Sequence, residues 1–371
     1  MTPEIKHRIG QIRRGEVPER YVKTALGLAP TDWKRYTFGD IYTERKEPGD
    51  ENLPLLMVSI HSGVSDGEVD AAELPKQVKR IEDKSQYKKA VSGDLVFNMM
   101  RAWQGAIGTV RTTGMVSPAY IVAEPNDKAY PLFMDYYSRT PQMINQLDRQ
   151  SYGVTDFRKR LYWDSFAPIG CILPPIEEQQ KIATILTTQD RVIELKEKRL
   201  AEKQRQKKYL MQQLLTGKKR LPGFNGAWKT DCLDKLFFER KETNCENIEM
   251  LAITGTQGII PRKELDLKDN SSEDKSKYLR VCVGDIGYNT MRMWQGVSAY
   301  SNYEGIVSPA YTILKPSSSI NAKYFAYLFK MSEIVFLFYR FSQGLVDDTR
   351  NLKYENFKKI KVYYPPDIKE Q

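Results

Sequence analysis

The chain has 371 residues, 41% of them apolar, which gives room for two or three domains with cores of their own and excludes a disordered or fibrous chain. Lys plus Arg number 57 against 47 acidic residues, a net charge of +10 that favours a polyanionic partner such as nucleic acid. No run of about 18 apolar residues is present to span a bilayer, the N-terminus MTPEIKHRIGQIRRGEV lacks the apolar stretch of a signal peptide, and four cysteines with two histidines assemble no zinc set, so a cytoplasmic protein with reduced, structural thiols is expected.

Residues 1–30 open with Ile5, Ile9 and Ile12 at helical spacing, ending in Arg13-Arg14-Gly15, and then a lead-in to the first unit. That unit, residues 31–174, holds SGDLVFNMMRAWQGAIG followed by MVSPAY. The same sentence returns 191 positions later, in a second unit at 218–366, as VGDIGYNTMRMWQGVSA followed by IVSPAY. Glu44-Arg-Lys-Glu47 reappears as Glu239-Arg-Lys-Glu242, at an offset of 195, so four residues were gained or lost between about Val64 and Glu82. A repeat of this length is a duplicated domain and not a solenoid.

Between the units, residues 175–217 read as one long helix. Ile176 to Thr216 contain no Gly or Pro. Pro174-Pro175 precede the segment, Glu177 and Glu178 fill its first turn, and Gly217 followed by basic residues ends it. About 39 residues at ~1.5 Å each give a rod of roughly 58 Å. Ile182, Ile185, Leu186, Val192, Ile193, Leu200, Leu210 and Leu214 form an imperfect coiled-coil-type stripe, interrupted by Lys196, Lys203 and Lys207. A rod of that kind needs packing against a partner helix, because helices in water draw most of their stability from tertiary contact. Residues 367–371 are expected to begin a second such helix, of which this chain holds only the start. Self-association through the stripe, or dependence on partner subunits, is the corresponding expectation.

Two units of mixed α/β (α+β) character, separated by a long helix closing in LLTGKKR and each ending in Pro-Pro followed shortly by Glu-Gln, resemble the specificity subunit of a Type I restriction-modification system. The NxMRxWQG and VSPAY signatures and LPPIEEQQKIATIL carry the resemblance, which covers essentially the whole chain. It implies two target-recognition domains, each reading half of a bipartite double-stranded DNA site, with the helix setting the spacer. It also implies two methylation subunits carrying S-adenosylmethionine, and restriction subunits using ATP and Mg, with no cofactor or metal bound by this chain.

Within that picture Arg101, Trp103 and Gln104, with Arg292, Trp294 and Gln295, combine a forked donor, a flat stacking surface and an adenine-reading amide. The alternative is that the Trp anchors the core and Gly105 or Gly296 makes a turn. Residues identical in both units cannot encode a difference between half-sites, so discrimination is expected where the copies diverge: His61 and Ser62 against Thr256 and Gln257, or else an ordinary variable loop. Arg158, Lys159 and Arg350 are candidates for phosphate contact, or else belong to a solvated basic helix start. The basic run Lys196–Lys219 reads either as a solvated helix face or as a surface for a methylation subunit.

Catalytic signatures are lacking. The Pro-Pro pairs sit in LPPI and YPPD, not in the (D/N/S)PP(Y/F/W) loop of an adenine methyltransferase, and no GxxxxGK(S/T) phosphate loop occurs. Glu82-Asp-Lys84 and Glu273-Asp-Lys275 have nuclease-like E-x-K spacing without an upstream Pro-Asp in both copies, and read as turn residues before a strand. The competing readings are a basic scaffold for protein or RNA, and a single-chain restriction-methylation enzyme.

Overall fold

The computed structural model describes residues 2–50, 52–65, 86–155, 158–245, 248–255, 257–265 and 274–371. The chain divides into two compact units, Met1–Leu195 and Lys196–Gln371.

The first unit opens with α1 (Pro3–Arg13), where the Thr2 hydroxyl accepts from Ile5 N and Pro3 takes a position needing no amide donor. A hairpin of β1 (Tyr21–Thr24) and β2 (Gly27–Pro30) follows. Next come β3 (Lys34–Thr37), the one-turn α2 (Phe38–Ile41), β4 (Tyr42–Glu44), and a short hairpin of β5 (Val58–Ser59) and β6 (Gly63–Val64). β7 (Lys88–Ala90), β8 (Leu95–Asn98), β9 (Ile107–Thr109), β10 (Gly114–Val116) and β11 (Tyr120–Pro125) precede α3 (Pro131–Tyr137), α4 (Pro141–Gln150), α5 (Trp163–Phe166) and β12 (Gly170–Leu173). β4-β11-β8-β9 form an antiparallel sheet, β7 pairs β10, and β12 returns to β3, so the two ends of the unit close on each other. Leu95, Val96 and Phe97 are all buried because β8 is central and covered on both faces. Phe38, Phe97 and Phe166 meet at 4.4 and 4.6 Å between ring centroids, joining strand to helices.

α6 (Ile176–Leu214) is continuous over 39 residues. Its foot belongs to the first unit's core: Ala183 is buried and Ile182 packs against that core, so this member of the sequence stripe already has a partner within its own unit. Tyr136 donates to Asp190 at 2.5 Å from α3. Farther along, Ile185, Val192, Ile193, Leu200 and Leu210 are exposed, whereas Leu186 and Leu214 are half-buried.

The second unit repeats the first. β13 (Lys229–Cys232), β14 (Phe237–Glu239), the hairpin β15 (Leu251–Thr254) and β16 (Gly258–Pro261), β17 (Leu279–Val281), β18 (Ile286–Asn289), β19 (Ser298–Tyr300), β20 (Gly305–Val307) and β21 (Tyr311–Pro316) build the sheets. α7 (Ala322–Leu328), α8 (Ser332–Phe341), α9 (Tyr354–Phe357) and β22 (Lys361–Tyr364) complete it. The strand order β14-β21-β18-β19, the pair β17–β20 and the closing pair β13–β22 match the first unit's pairings one for one. With antiparallel ladders and segregated helices, each unit is of α+β type. Phe325, Phe329, Phe338 and Phe357 form its fully buried aromatic core.

Two devices explain why particular residues occur in both copies. Arg45 donates through Nε to Asp94 at 2.8 Å, and Asp94 also accepts from Val91 N; Arg240, Asp285 and Cys282 N reproduce the arrangement. Both aspartates are only 2% exposed, so the pairs bolt β4 to β8 and β14 to β18. Burial raises the Asp94 carboxyl above its ordinary value, with Arg45 and the Val91 amide pulling the other way. The second device is a glutamine clamp. Gln179 accepts from Tyr130 N at the start of α3 and donates to Lys128 O and Pro174 O; Gln371 accepts from Asn321 N and donates to Pro365 O. The Glu-Gln pair comes one residue later after the second Pro-Pro than after the first.

Candidate nucleic-acid interface

The shared signature folds into one tight turn after the central strand. Asn98 Oδ1 accepts from Met100 N at 2.9 Å and Asn289 Oδ1 from Met291 N at 3.0 Å. The indole N–H groups of Trp103 and Trp294 donate back to Met100 O and Met291 O, each at 3.0 Å. Gly105 and Gly296 close the turns at φ of 98° and 80°, left-handed values that favour glycine. Asn, Trp and Gly are therefore consumed in shaping the turn, and both Trp rings are half-buried. What the turn leaves in solvent is Met100, Arg101 and Gln104, and equally Met291, Arg292 and Gln295. Among the described residues neither Arg101 nor Arg292 has an acidic ion-pair partner.

Two further segments flank each turn. The tip of the β5–β6 hairpin carries exposed His61 and Ser62, and Ile60 O stands near Gly105. In the second unit Gln257 is exposed at the tip of β15–β16, whose Gly255 stands near Val297 just after the turn; Thr256 lies outside the described residues. The divergent hairpins are thus neighbours of the shared turns, a proximity that offset alone does not reveal. The other flank is the loop closed by the bridge Tyr152–Arg160, or by Gln343–Asn351 in the second unit. Leu161 N donates to Met99 O and Leu352 N to Thr290 O, tying each loop to its turn. Within these loops Arg158 is exposed. Lys159 pairs with Asp148 at 2.7 Å and lies 5.1 Å over the Trp103 ring. Arg350 pairs with Asp347 at 2.8 Å and lies 4.1 Å over Tyr339, itself edge-on to Trp294. These two cations are held first by protein partners. The loop tips also present Val154 and Leu345 at 91% and 99% exposure, apolar surface that charge-centred reading of the sequence passes over.

Burial pushes the Tyr120 phenol up, opposed by the Val58 backbone and by Arg101. Of the E-x-K pairs, Glu82–Lys84 and Glu273 lie outside the described residues, while Asp274 accepts from Ser276 N in the turn leading to β17. Cys171, Cys232, Cys245 and Cys282 are free thiols, and burial raises Cys171 to about 12. Among the described residues no helix is long and apolar enough to cross a membrane.

Residues 69–205, which include the first turn, its loop and the foot of α6, match the Type I restriction modification DNA specificity domain. The first unit thus contains a Type I restriction modification DNA specificity domain. Among solved structures it is similar to a Type I restriction-modification S subunit from M. genitalium, with 11% identity over 91% of this chain and 86% of that one and a TM-score of 0.53, a likeness of fold. The HsdS subunit from Thermoanaerobacter tengcongensis aligns at 18% identity over 91% and 86% of the two chains with a TM-score of 0.45. A chain from a structure of type I R-M complex assembly and conformational transition gives 17% identity, 91% and 87% coverage, and 0.45. That domain match does not favour the scaffold and single-chain-enzyme readings.

Proposed function

We propose that each unit reads one half of a bipartite duplex site, with α6 as the ruler between half-sites. The observation that carries this is the pair of equivalent turns presenting Arg101 with Gln104 and Arg292 with Gln295 to solvent. Arginine and glutamine make bidentate contacts to guanine and adenine edges in a major groove, each contributing about 1–3 kcal/mol of discrimination. Linking two weak readers converts the second contact into an intramolecular event, so affinity for the whole site exceeds that of either half.

Arg101 and Arg292, identical in both units, take what the half-sites share, while His61 and Ser62 in one hairpin and Thr256 and Gln257 in the other supply the difference. Arg158, with Lys159 and Arg350, lies along the phosphates; Trp103 and Trp294 position the turn. Chemistry belongs to partners. Two methylation subunits bring S-adenosylmethionine, restriction subunits bring ATP and Mg, and this chain supplies recognition in the cytoplasm with no cofactor of its own. The exposed stripe Ile185, Val192, Ile193, Leu200 and Leu210 is the face on which a partner helix packs.

Methylome sequencing of a cell carrying the chain with its methylation subunits tests this reading. The expected result is one asymmetric motif of two short halves around an unread spacer; Arg292→Ala relaxes one half only. A single contiguous motif, or loss of both halves in Arg292→Ala, contradicts it.

A further inference from the structure

One cleft recurs in both units and holds a carboxylate of the protein in only one of them. In the first unit it is lined by Ser62, Val64, Thr109, Arg111 and Asp135. Asp135, 4% exposed, accepts from Thr109 N at 2.8 Å and from Arg139 Nη2 at 2.9 Å, with Arg111 at 3.7 Å. A carboxylate thus sits against the outward N–H of edge strand β9 with two guanidinium groups around it. The corresponding cleft in the second unit, about 650 Å³, has Gln257, Ile259, Tyr300, Asn302 and Ala326 at the matching positions. Ala326 stands where Asp135 would, and Lys330 where Arg139 would.

Removing the carboxylate leaves its partners behind. Ladder bonds from Asn289 N to Val297 O and from Ser301 N to Asp285 O set the register of β19, so the Tyr300 N–H points away from β18, as Thr109 N–H does from β8. No acceptor for it occurs among the described residues. Lys330 donates to Gly296 O at 2.7 Å and Ser298 O at 2.6 Å, and an ammonium has three protons, so one remains. Burial lowers the Lys330 pKa. Lys323 over the Tyr300 ring and Lys207 over the Tyr327 ring add two further cations to the lining, and no carboxylate lines the cleft among the described residues. Three lysines, a free edge-strand amide and the Gln257 and Asn302 amides make a donor set with no anion of its own.

We propose that this cleft of the second unit is a phosphate-binding site, in which an external phosphate group takes the place that Asp135 fills in the first unit. Because Lys330 also holds the carbonyl of Gly296, the glycine that closes the Arg292 turn, an anion seated there braces the turn as Asp135 and Arg139 brace the cleft beside Gly63. The site stands on the cleft alone; its assignment to a phosphate of bound DNA rests on the reading proposed above.

Calorimetric titration of the full chain with pyrophosphate tests the site, using Ala326→Asp, which restores the internal carboxylate, and Lys323→Ala, an exposed position outside the core. Wild type binds saturably at constant ionic strength, Ala326→Asp binds at least tenfold more weakly, and Lys323→Ala is weakened too and carries the test if Ala326→Asp alters the thermal transition. In a second arm, the logarithmic salt slope of duplex binding falls by about one in Ala326→Asp when the occupant is a DNA phosphate. A lost pyrophosphate site with an unchanged slope still supports the site and assigns it to a free phosphate compound. Absence of binding by wild type, or full binding by both variants, overturns the proposal. Pyrophosphate binding by a chain without DNA sequence preference would leave the site standing and remove the DNA reading.

Discussion

In the first unit Lys159 covers the tryptophan of the turn and is anchored by Asp148; in the second, Arg350 covers Tyr339, which meets the tryptophan edge-on, and is anchored by Asp347. The same task, a cation packed against the aromatic floor of the turn, is performed by different residues on different rings. By contrast the Arg–Asp bolt, the asparagine cap and the indole-to-carbonyl bond are identical in kind and nearly in length. What the two units share is mostly what makes the turn. What they vary lies beside it, at the hairpin tips and loops, where the proposed reading puts the difference between half-sites.

The largest expected effect comes from breaking a shared element. Asp94→Ala removes the buried partner of Arg45, which keeps only the exposed carboxylates of Glu47 and Glu124, a loss of about 1.5–3 kcal/mol for hydrogen bonds to a charged group. The first unit's thermal transition drops while the second unit's, followed by hydrogen exchange at β18, stays in place; Asp285→Ala gives the mirror image. Equal destabilisation of both units by either variant would show that the units do not carry separate cores. Next is Arg292→Ala against Arg101→Ala. Each removes about 1–3 kcal/mol of binding, and in a mobility-shift assay with one half-site scrambled at a time, each becomes silent when its own half is already destroyed. Smaller still in stability terms is the double variant Ile193→Glu, Leu200→Glu. Both residues are exposed, so the thermal transition moves within about 0.5 kcal/mol, while light scattering shows loss of self-association or of methylation-subunit binding; unaltered assembly would remove the stripe from the interface.

The mildest effect is on pH. Hydrogen bonds from Lys89 and then Arg45 lower the Glu47 carboxyl, and Arg240 and Arg280 do the same for Glu242. A carboxylate lowered on folding contributes stability that is present above its ordinary value and lost as pH falls through the folded one. Glu47→Gln and Glu242→Gln therefore flatten the acid limb of the melting curve slightly, each in its own unit. An unaltered acid limb in both would mean that the pairs are screened by solvent.

Much of this plan was legible in the residues. The duplication, the long helix from Ile176 to Leu214 and the prominence of Arg101 and Arg292 follow from offset, from the absence of Gly and Pro, and from side-chain chemistry. Pairing across the fold was not legible. Arg45 and Asp94 both stand in the repeat, but only the antiparallel neighbours β4, β11 and β8 bring them together. The tryptophans left open two roles until their N–H groups were seen to be spent on Met100 O and Met291 O. The Gln371 clamp hid behind a one-residue shift from Gln179, and the exchange of Asp135 for Ala326 has no meaning until both are known to face a cleft. Ile182 illustrates the converse, since helical spacing alone cannot tell a residue that meets a partner helix from one that docks the helix onto its own domain.

On the proposed reading, specificity depends most on two readers acting at a set distance. Mobility shifts of the chain with its methylation subunits, on duplexes whose spacer between half-sites is lengthened one base pair at a time, test that dependence directly. Affinity is predicted to fall at least tenfold with the first or second insertion while each half-site is intact, and to be restored by no further insertion. Affinity indifferent to spacer length would contradict it.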